Sequence, residues 1–383
     1  MEYKVSAIKY RPQKFSEVTS QEFVTQTLMN AKLSNKIAHS YLLSGPRGVG
    51  KTTIARIFAK AINCINSKDG EPCNKCENCE EITKGIHPDI FELDAASNRG
   101  IDDVRAIQDT AKFYPIKAKY KFFIVDEVHM LTTQAFNAML KILEEPPEYL
   151  IFILATTNPE KLPQTIKSRC QRFHLQRLNV ECIFEKLKEV AKNEKYKIEN
   201  DALFLIAKMG DGSLRDALGV FDMSVSYCGN SISTKELKEF LNIPEKEIYF
   251  KISEYISCNS PELLIDYFNK LLETGTDINM LFNGMIEHFR NLLVVKTTNN
   301  VNLLEETNDI KNKYSEKSKE FTEEGLSRII KLLFDSEVIL KYSINAKIFF
   351  ETLLIEICRL KNEISDLSDL ISDLNTIKKK TLK

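Results

Sequence analysis

The chain has 383 residues, 43% of them hydrophobic and 28% charged, enough apolar material for the cores of two to four domains. Lys+Arg (53) nearly balance Asp+Glu (54), which excludes a protein that holds nucleic acid by bulk charge; any such contact must be local. No run of about 18 apolar residues occurs and the start, MEYKVSAIKYRPQKF, lacks a signal-peptide core, so the expectation is a cytoplasmic protein with no membrane partner.

In chain order, AHSYLLSG (38–45), PDIFELDA (88–95), YKFFIVDE (120–127) and YLIFILATT (149–157) are nearly continuous apolar runs. Such runs predict parallel strands buried on both faces. Helical patterns lie between them, as in TTQAFNAMLKILEE (132–145), which stops at Pro146-Pro147. The alternation predicts a doubly wound α/β domain over 1–178. After about 179 no strand pattern is evident. Residues 180–229 read as about three amphipathic helices with a glycine break at 210–212, giving a small helical domain over 179–242. A second helical domain is expected over 243–362, with a polar, Asn- and Glu-rich interruption near 298–318. In the tail, 363–383, apolar residues from Leu360 to Leu374 span only two heptads, so an ordinary terminal helix running into the basic IKKKTLK is expected.

GPRGVGKT (45–52) satisfies G-x-x-x-x-G-K-[ST] between an expected strand and an expected helix, the context of a phosphate-binding P-loop. Its backbone N–H groups and the helix N-terminus suit phosphates, which makes Gly45, Pro46, Arg47, Gly48, Val49, Gly50, Lys51, Thr52 and Thr53 the nucleotide cradle. Lys51 should reach the β- and γ-phosphates, and Thr52 should place its hydroxyl on Mg²⁺. FFIVDE (122–127) ends an apolar strand on two carboxylates. Asp126 suits a Mg²⁺ contact and Glu127 suits activation of an attacking water, which points to ATP hydrolysis rather than binding alone. Thr157 ends the next buried run and can bond the γ-phosphate or the water. Arg169 in KSRC and Arg215 in GSLRDAL are candidates to stabilise the transferring phosphate.

Between these elements lies EPCNKCENCEE (71–81); with Cys64 it gives C-x8-C-x2-C-x2-C. Four thiolates, Cys64, Cys73, Cys76 and Cys79, suit tetrahedral Zn²⁺ with no open position, hence a structural site. Glu71, Glu77, Glu80 and Glu81 around it disfavour DNA contact, and the module is expected to stand apart from the reaction. The loop and helix start AASNRGIDDVRAI (95–107) place Asn98, Arg99 and Arg105 where they suit a phosphate backbone or simply a solvated helix start.

YRP (10–12), the P-loop, the cysteine cluster, VDEVHML, LKILEEPPE, LATTNPEKLP, SRC and GSLRDAL occur in one order. Together they resemble the bacterial DNA polymerase III gamma/tau subunits, AAA+ clamp-loader ATPases, densely over 1–243 and weakly beyond. The resemblance implies Walker A roles for Lys51 and Thr52, and Walker B roles for Asp126 and Glu127. It implies sensor 1 for Thr157, sensor 2 for Arg215, and a finger inserted into the neighbouring subunit's site for Arg169. Tyr10, Arg11 and Pro12 would pack on the adenine side, and Lys141 would join Asn98, Arg99 and Arg105 on a DNA-tracking surface. It further implies an AAA+ domain, a helical lid and an oligomerisation collar. The implied assembly contains further copies of the chain with delta and delta-prime subunits, and ATP drives opening of a sliding clamp for loading onto primed DNA. At 383 residues a short, gamma-like form is expected. The alternatives are another AAA+ DNA motor, which the four-cysteine insert disfavours, and a non-hydrolysing scaffold subunit, which the intact Lys51, Thr52, Asp126 and Glu127 disfavour.

Overall fold

A computed structural model describes residues 5–360 apart from 243, 305 and 307. The expected terminal helix beyond 360 lies outside the described residues. The chain divides into two compact units after Leu237.

The first unit is built on a five-stranded parallel sheet of order β2-β3-β4-β1-β5. Its strands are β1 (Ser40–Ser44), β2 (Ile90–Asp94), β3 (Lys121–Asp126), β4 (Leu150–Thr156) and β5 (Gln171–His174). The central three are buried nearly throughout, as continuous apolar runs require. β2 departs from the expectation: it is an edge strand and only half-buried, with Phe91 stacked on Phe123 at 4.8 Å. β5 carries no apolar run because only Phe173 of its four residues is buried, so periodicity alone does not reveal it.

The connecting helices are α1 (Ser6–Lys9), α2 (Glu22–Leu33), α3 (Lys51–Asn63), α4 (Glu77–Lys84), α5 (Ile101–Ala111), α6 (Thr133–Glu144) and α7 (Gln164–Lys167). α6 starts where Thr132 Oγ1 accepts from Ala135 N at 3.2 Å and ends just before the Pro146-Pro147 stop. Three further helices follow, α8 (Val180–Glu194), α9 (Asn200–Met209) and α10 (Leu214–Cys228). Two-residue strands β6 (Lys197–Ile198) and β7 (Ser231–Ile232) pair in parallel here, a strand element where none was expected.

α11 (Thr234–Phe240) leads to the helical second unit, which contains α12 (Lys246–Ser257), α13 (Pro261–Glu273), α14 (Ile278–Thr298), α15 (Asn308–Lys317) and α16 (Glu323–Tyr342), with 346–360 also helical. Its core includes Phe268, Phe282, Phe289, Leu292, Phe350 and Leu354. The polar stretch near 298–318, expected to interrupt the helices, is itself largely helical. Tyr314, 2% exposed, seats α15 on the core and meets buried His288 Nδ1 at 3.1 Å. Burial, with Lys246 and Lys317 nearby, pulls the His288 imidazole down to about 3, so it stays neutral near pH 7. Among the described residues no helix is long and apolar enough to cross a membrane.

Candidate nucleotide site and cysteine centre

β3, β4 and β1 are neighbours in the sheet, and their carboxyl ends bring together residues far apart in sequence. Ser44 pairs with Thr156, and Val125 with Leu154, so the P-loop, Asp126 and Thr157 leave the same edge of the sheet. The loop requires glycine at two close approaches: Gly45 has φ +147° and Gly48 +74°. A Cβ at Gly45 would collide with the Leu175 carbonyl, and one at Gly48 with the Ser213 hydroxyl.

Lys51 is 6% exposed and donates to the carbonyls of Gly45 (2.9 Å) and Pro46 (2.7 Å). Burial pulls its ammonium below the ordinary lysine value, opposed by Glu127 and Asp126. Thr52 Oγ1 donates to Asp126 Oδ2 at 2.6 Å, while Asp126 Oδ1 accepts from Glu127 N at 2.9 Å. Glu127 sits in the left-handed region, φ +46°. Its Oε2 accepts from Thr157 N (3.1 Å) and Thr157 Oγ1 (2.9 Å), with His129 Nδ1 at 3.3 Å.

Lys51, Thr52, Asp126 and Glu127 line an open cleft of about 1120 Å³; Gly45, Pro46 and Thr157 are not among its lining residues. Tyr10, Arg11, Pro12, Val18 and Thr19 form one wall and Leu214, Arg215 and Met223 another. Burial lowers the Arg11 pKa, with Arg56 adding to it and Glu92 opposing. Tyr10 O–H donates to Glu194, and α1 is tied to α10 by Ser6 N on Asp222 Oδ2 at 2.7 Å. Of the expected nucleotide residues, Tyr10, Arg11, Pro12, Arg47 through Thr53, Asp126, Glu127 and Arg215 share this cleft.

Arg169 is not among the lining residues. It donates to Glu144 Oε1 (2.6 Å) and to the Thr165 carbonyl (2.9 Å), about one third exposed. Asn98 and Arg99 fold back on their own turn, donating to the carbonyls of Asp94 (3.1 Å) and Ala96 (2.8 Å). Arg105 pairs with Asp102 at 3.1 Å on exposed α5, and Lys141 is exposed on α6, the helix packed beside it. Two further residues lie inside the quoted motifs with no role foreseen for them: Ser213 of GSLRDAL caps α10 against the P-loop, and His129 of VDEVHML stands two residues beyond Glu127.

The four cysteine sulfurs lie within 4.8 Å of one another. Sulfurs bound at about 2.3 Å to tetrahedral Zn²⁺ sit about 3.8 Å apart; Cys64 Sγ and Cys76 Sγ are 3.9 Å apart. Backbone N–H groups point at these sulfurs: Cys73 N at Cys64 Sγ (3.2 Å), and Lys75 N and Cys76 N at Cys73 Sγ (3.4 and 3.3 Å). Burial opposes ionisation of Cys73, yet these N–H groups and its neighbouring thiols bring it to about 6, whereas burial pushes the Cys64 and Cys79 thiols up. The donor set therefore fits Zn²⁺. The module, expected to stand apart from the reaction, is bonded to residues 13–16, the turn behind the cleft wall. Glu71 accepts from Phe15 N (2.9 Å) and Ser16 N (2.8 Å), and Asn74 Nδ2 donates to the Gln13 carbonyl at 3.2 Å.

Three family models match successive parts of the chain. "DNA polymerase III, delta subunit" covers 20–179, "DNA polymerase III clamp loader subunit, ATPase lid domain" covers 182–230, and "DNA polymerase III subunits gamma and tau domain III" covers 232–372. The chain is 36% identical over 360 residues to DNA polymerase III subunit gamma of Buchnera aphidicola subsp. Schizaphis graminum, covering 93% of this chain and 98% of that one. It is 39% identical over 363 residues to DNA polymerase III subunit tau of Bacillus subtilis, covering 95% of this chain but 64% of the relative. It spans less than half of the tau subunit of Escherichia coli, 46%, at 39% identity over 296 residues. Among solved structures it is similar to the Thermotoga maritima RuvB Holliday junction branch migration motor, with TM-score 0.45 and 24% identity over 64% of this chain and 79% of that one.

Proposed function

The chain belongs to the gamma/tau family of DNA polymerase III clamp-loader subunits, P-loop ATPases of the AAA+ class, and on that premise we propose that it hydrolyses ATP at subunit interfaces to load a sliding clamp onto primed DNA. The reading divides the chain into an AAA+ domain (1–178), a lid (179–242) and a collar (243–362). It joins further copies of itself with delta and delta-prime subunits. The observation that carries it is the run of bonds from Thr52 through Asp126 and Glu127 to Thr157 along one edge of the P-loop cleft.

In this reading the P-loop N–H groups and Lys51 hold the β- and γ-phosphates, Lys51 exchanging its loop carbonyls for phosphate oxygens. Thr52 and Asp126 would hold Mg²⁺, which when bound neutralises charge on the β- and γ-oxygens. Glu127 takes the proton of the attacking water, and Thr157, bonded to that carboxylate, reports on the γ-phosphate side. Arg215 stabilises the transferring phosphate from within the subunit, and Arg169 does so from the next subunit. Tyr10, Arg11 and Pro12 enclose the adenine side. Zn²⁺ on Cys64, Cys73, Cys76 and Cys79 serves structure. Purified chain should hydrolyse ATP slowly alone and faster with clamp, partner subunits and primed DNA, and Lys51→Ala should abolish both activities. Absence of turnover in the complete wild-type mixture would reject the reading.

DNA contact is assigned to Asn98, Arg99, Arg105 and Lys141 on α5, its leading turn and α6. Acidic Asp102 and Asp103 stand among them and oppose a phosphate, so each backbone contact is weak and Arg105 must leave Asp102 to make its own. Arg105→Ala should flatten the dependence of log affinity on log salt for primed template by about 0.9. An unchanged slope removes Arg105 from the surface.

A further inference from the structure

We infer that the cysteine module is a strut for the nucleotide cleft: Lys60, Glu71 and Asn74 are positioning residues that hold the wall carrying Tyr10, Arg11 and Pro12, so metal binding and ATP binding strengthen each other. The inference rests on the cleft being the ATP site.

The wall enters the cleft at Tyr10-Arg11-Pro12, leaves it, and returns at Val18-Thr19. The intervening turn, 13–17, is fastened from behind. Lys60 of α3 is 2% exposed and has no carboxylate within bonding distance among its partners; it donates to Gln13 Oε1 (2.6 Å), Asn74 Oδ1 (2.9 Å) and Thr83 Oγ1 (3.4 Å). Its hydrogen bonds all go to neutral oxygens, with Cys79 and Glu17 acting on its charge from farther off, and each bonded partner comes from a different segment: the wall, the cysteine loop and α4. Asn74 closes the ring by donating to the Gln13 carbonyl at 3.2 Å, and Gln13 Nε2 donates to the Arg11 carbonyl at 3.0 Å. The position of Arg11 is thus two bonds removed from the cysteine loop. Asn74 holds φ +55°, a left-handed conformation that asparagine and aspartate tolerate, immediately after Cys73.

Glu71 adds a second fastening. Its two carboxylate oxygens take separate backbone donors, Phe15 N at 2.9 Å and Ser16 N at 2.8 Å, and Phe15 itself is 2% exposed. The helix that follows the wall is held too, since Lys32 of α2 bonds Ser67 and the module's Gly70 approaches Met29. The turn behind the wall and the helix that follows it therefore both meet the loop that the four cysteines gather. Release of that loop frees the adenine side of the cleft and leaves the P-loop, which is built on β1 and α3, where it is.

This predicts a loss confined to the base side. In full-length protein, Asn74→Ala and Glu71→Ala should each weaken ATP binding by about tenfold, as expected for hydrogen bonds that fix a charged network. Inorganic tripolyphosphate, which engages the P-loop alone, should bind both variants as it binds wild type. Asn74→Asp keeps the acceptor for Lys60 but loses the donor to the Gln13 carbonyl, so it should recover only part of the ATP affinity. In unaltered protein, saturating ATP should raise zinc affinity, measured by competition with a chromogenic chelator, by the factor by which zinc raises ATP affinity; tripolyphosphate should not. Wild-type ATP affinity in both alanine variants, equal losses for ATP and tripolyphosphate, or a zinc affinity indifferent to ATP would each overturn the strut. Failure of the wild-type chain to bind ATP at all would instead reject the nucleotide site.

Discussion

Arg169→Ala is expected to bind ATP like the parent chain and to lose about 10³-fold or more of the hydrolysis stimulated by clamp and primed DNA. The geometry sets Arg169 apart from its own subunit's site, as the proposed role in a neighbour's site requires. The guanidinium lies outside the cleft that holds Lys51, Asp126 and Arg215, and its partners are Glu144 and the Thr165 carbonyl. With one third of the Arg169 side chain and half of Glu144 exposed, that pair is worth at most about 1 kcal/mol, a small cost for the exchange that the proposed role requires. Arg169→Lys keeps the charge without the planar fork, so an intermediate rate is expected. Stopped-flow phosphate release with parallel ATP titration measures both quantities. Equal stimulated rates for Arg169→Ala and the parent would remove this residue from the reaction.

Glu127→Gln is expected to lower turnover by about 10²- to 10⁴-fold, the usual worth of a general base, with ATP affinity unchanged. Its backbone is held in the left-handed region, a conformation costing a non-glycine residue roughly 1–3 kcal/mol unless its surroundings enforce it. The enforcement is visible: Glu127 N donates to Asp126 Oδ1 at 2.9 Å and Glu127 O accepts from Met130 N at 2.9 Å. The carboxylate is then met by both donors of Thr157 and by His129. Glutamine preserves the shape and can still accept from Thr157, but cannot take a proton. Single-turnover hydrolysis at saturating ATP isolates the chemical step, and a rate within about threefold of wild type would assign the proton to another group.

Features set by local chemistry were legible in the sequence. The P-loop, the Asp126-Glu127 strand end and the four cysteines are short-range patterns whose spacing reflects the ligand itself. Strands β1, β3 and β4 announced themselves as unbroken apolar runs because the sheet buries both of their faces. The edges did not: β2 is half-exposed, and β5 buries only Phe173 and borrows its order from β1. In the second unit, α15 is polar except for a stripe through Ile310 and Tyr314, too narrow to read as a helix until the core it covers is known. The Lys60 network was wholly out of reach. It joins residues 13, 60, 74 and 83 through side chains, and nothing in their spacing connects them.

The central claim is that a site is completed by the neighbouring subunit, and mixing two inactive variants tests it most directly. Glu127→Gln chains keep Arg169, and Arg169→Ala chains keep Glu127. Assemblies reconstituted from both, with partner subunits, clamp and primed DNA, should hydrolyse ATP well above the sum of the two homogeneous assemblies. A mixture no faster than that sum would contradict a shared site.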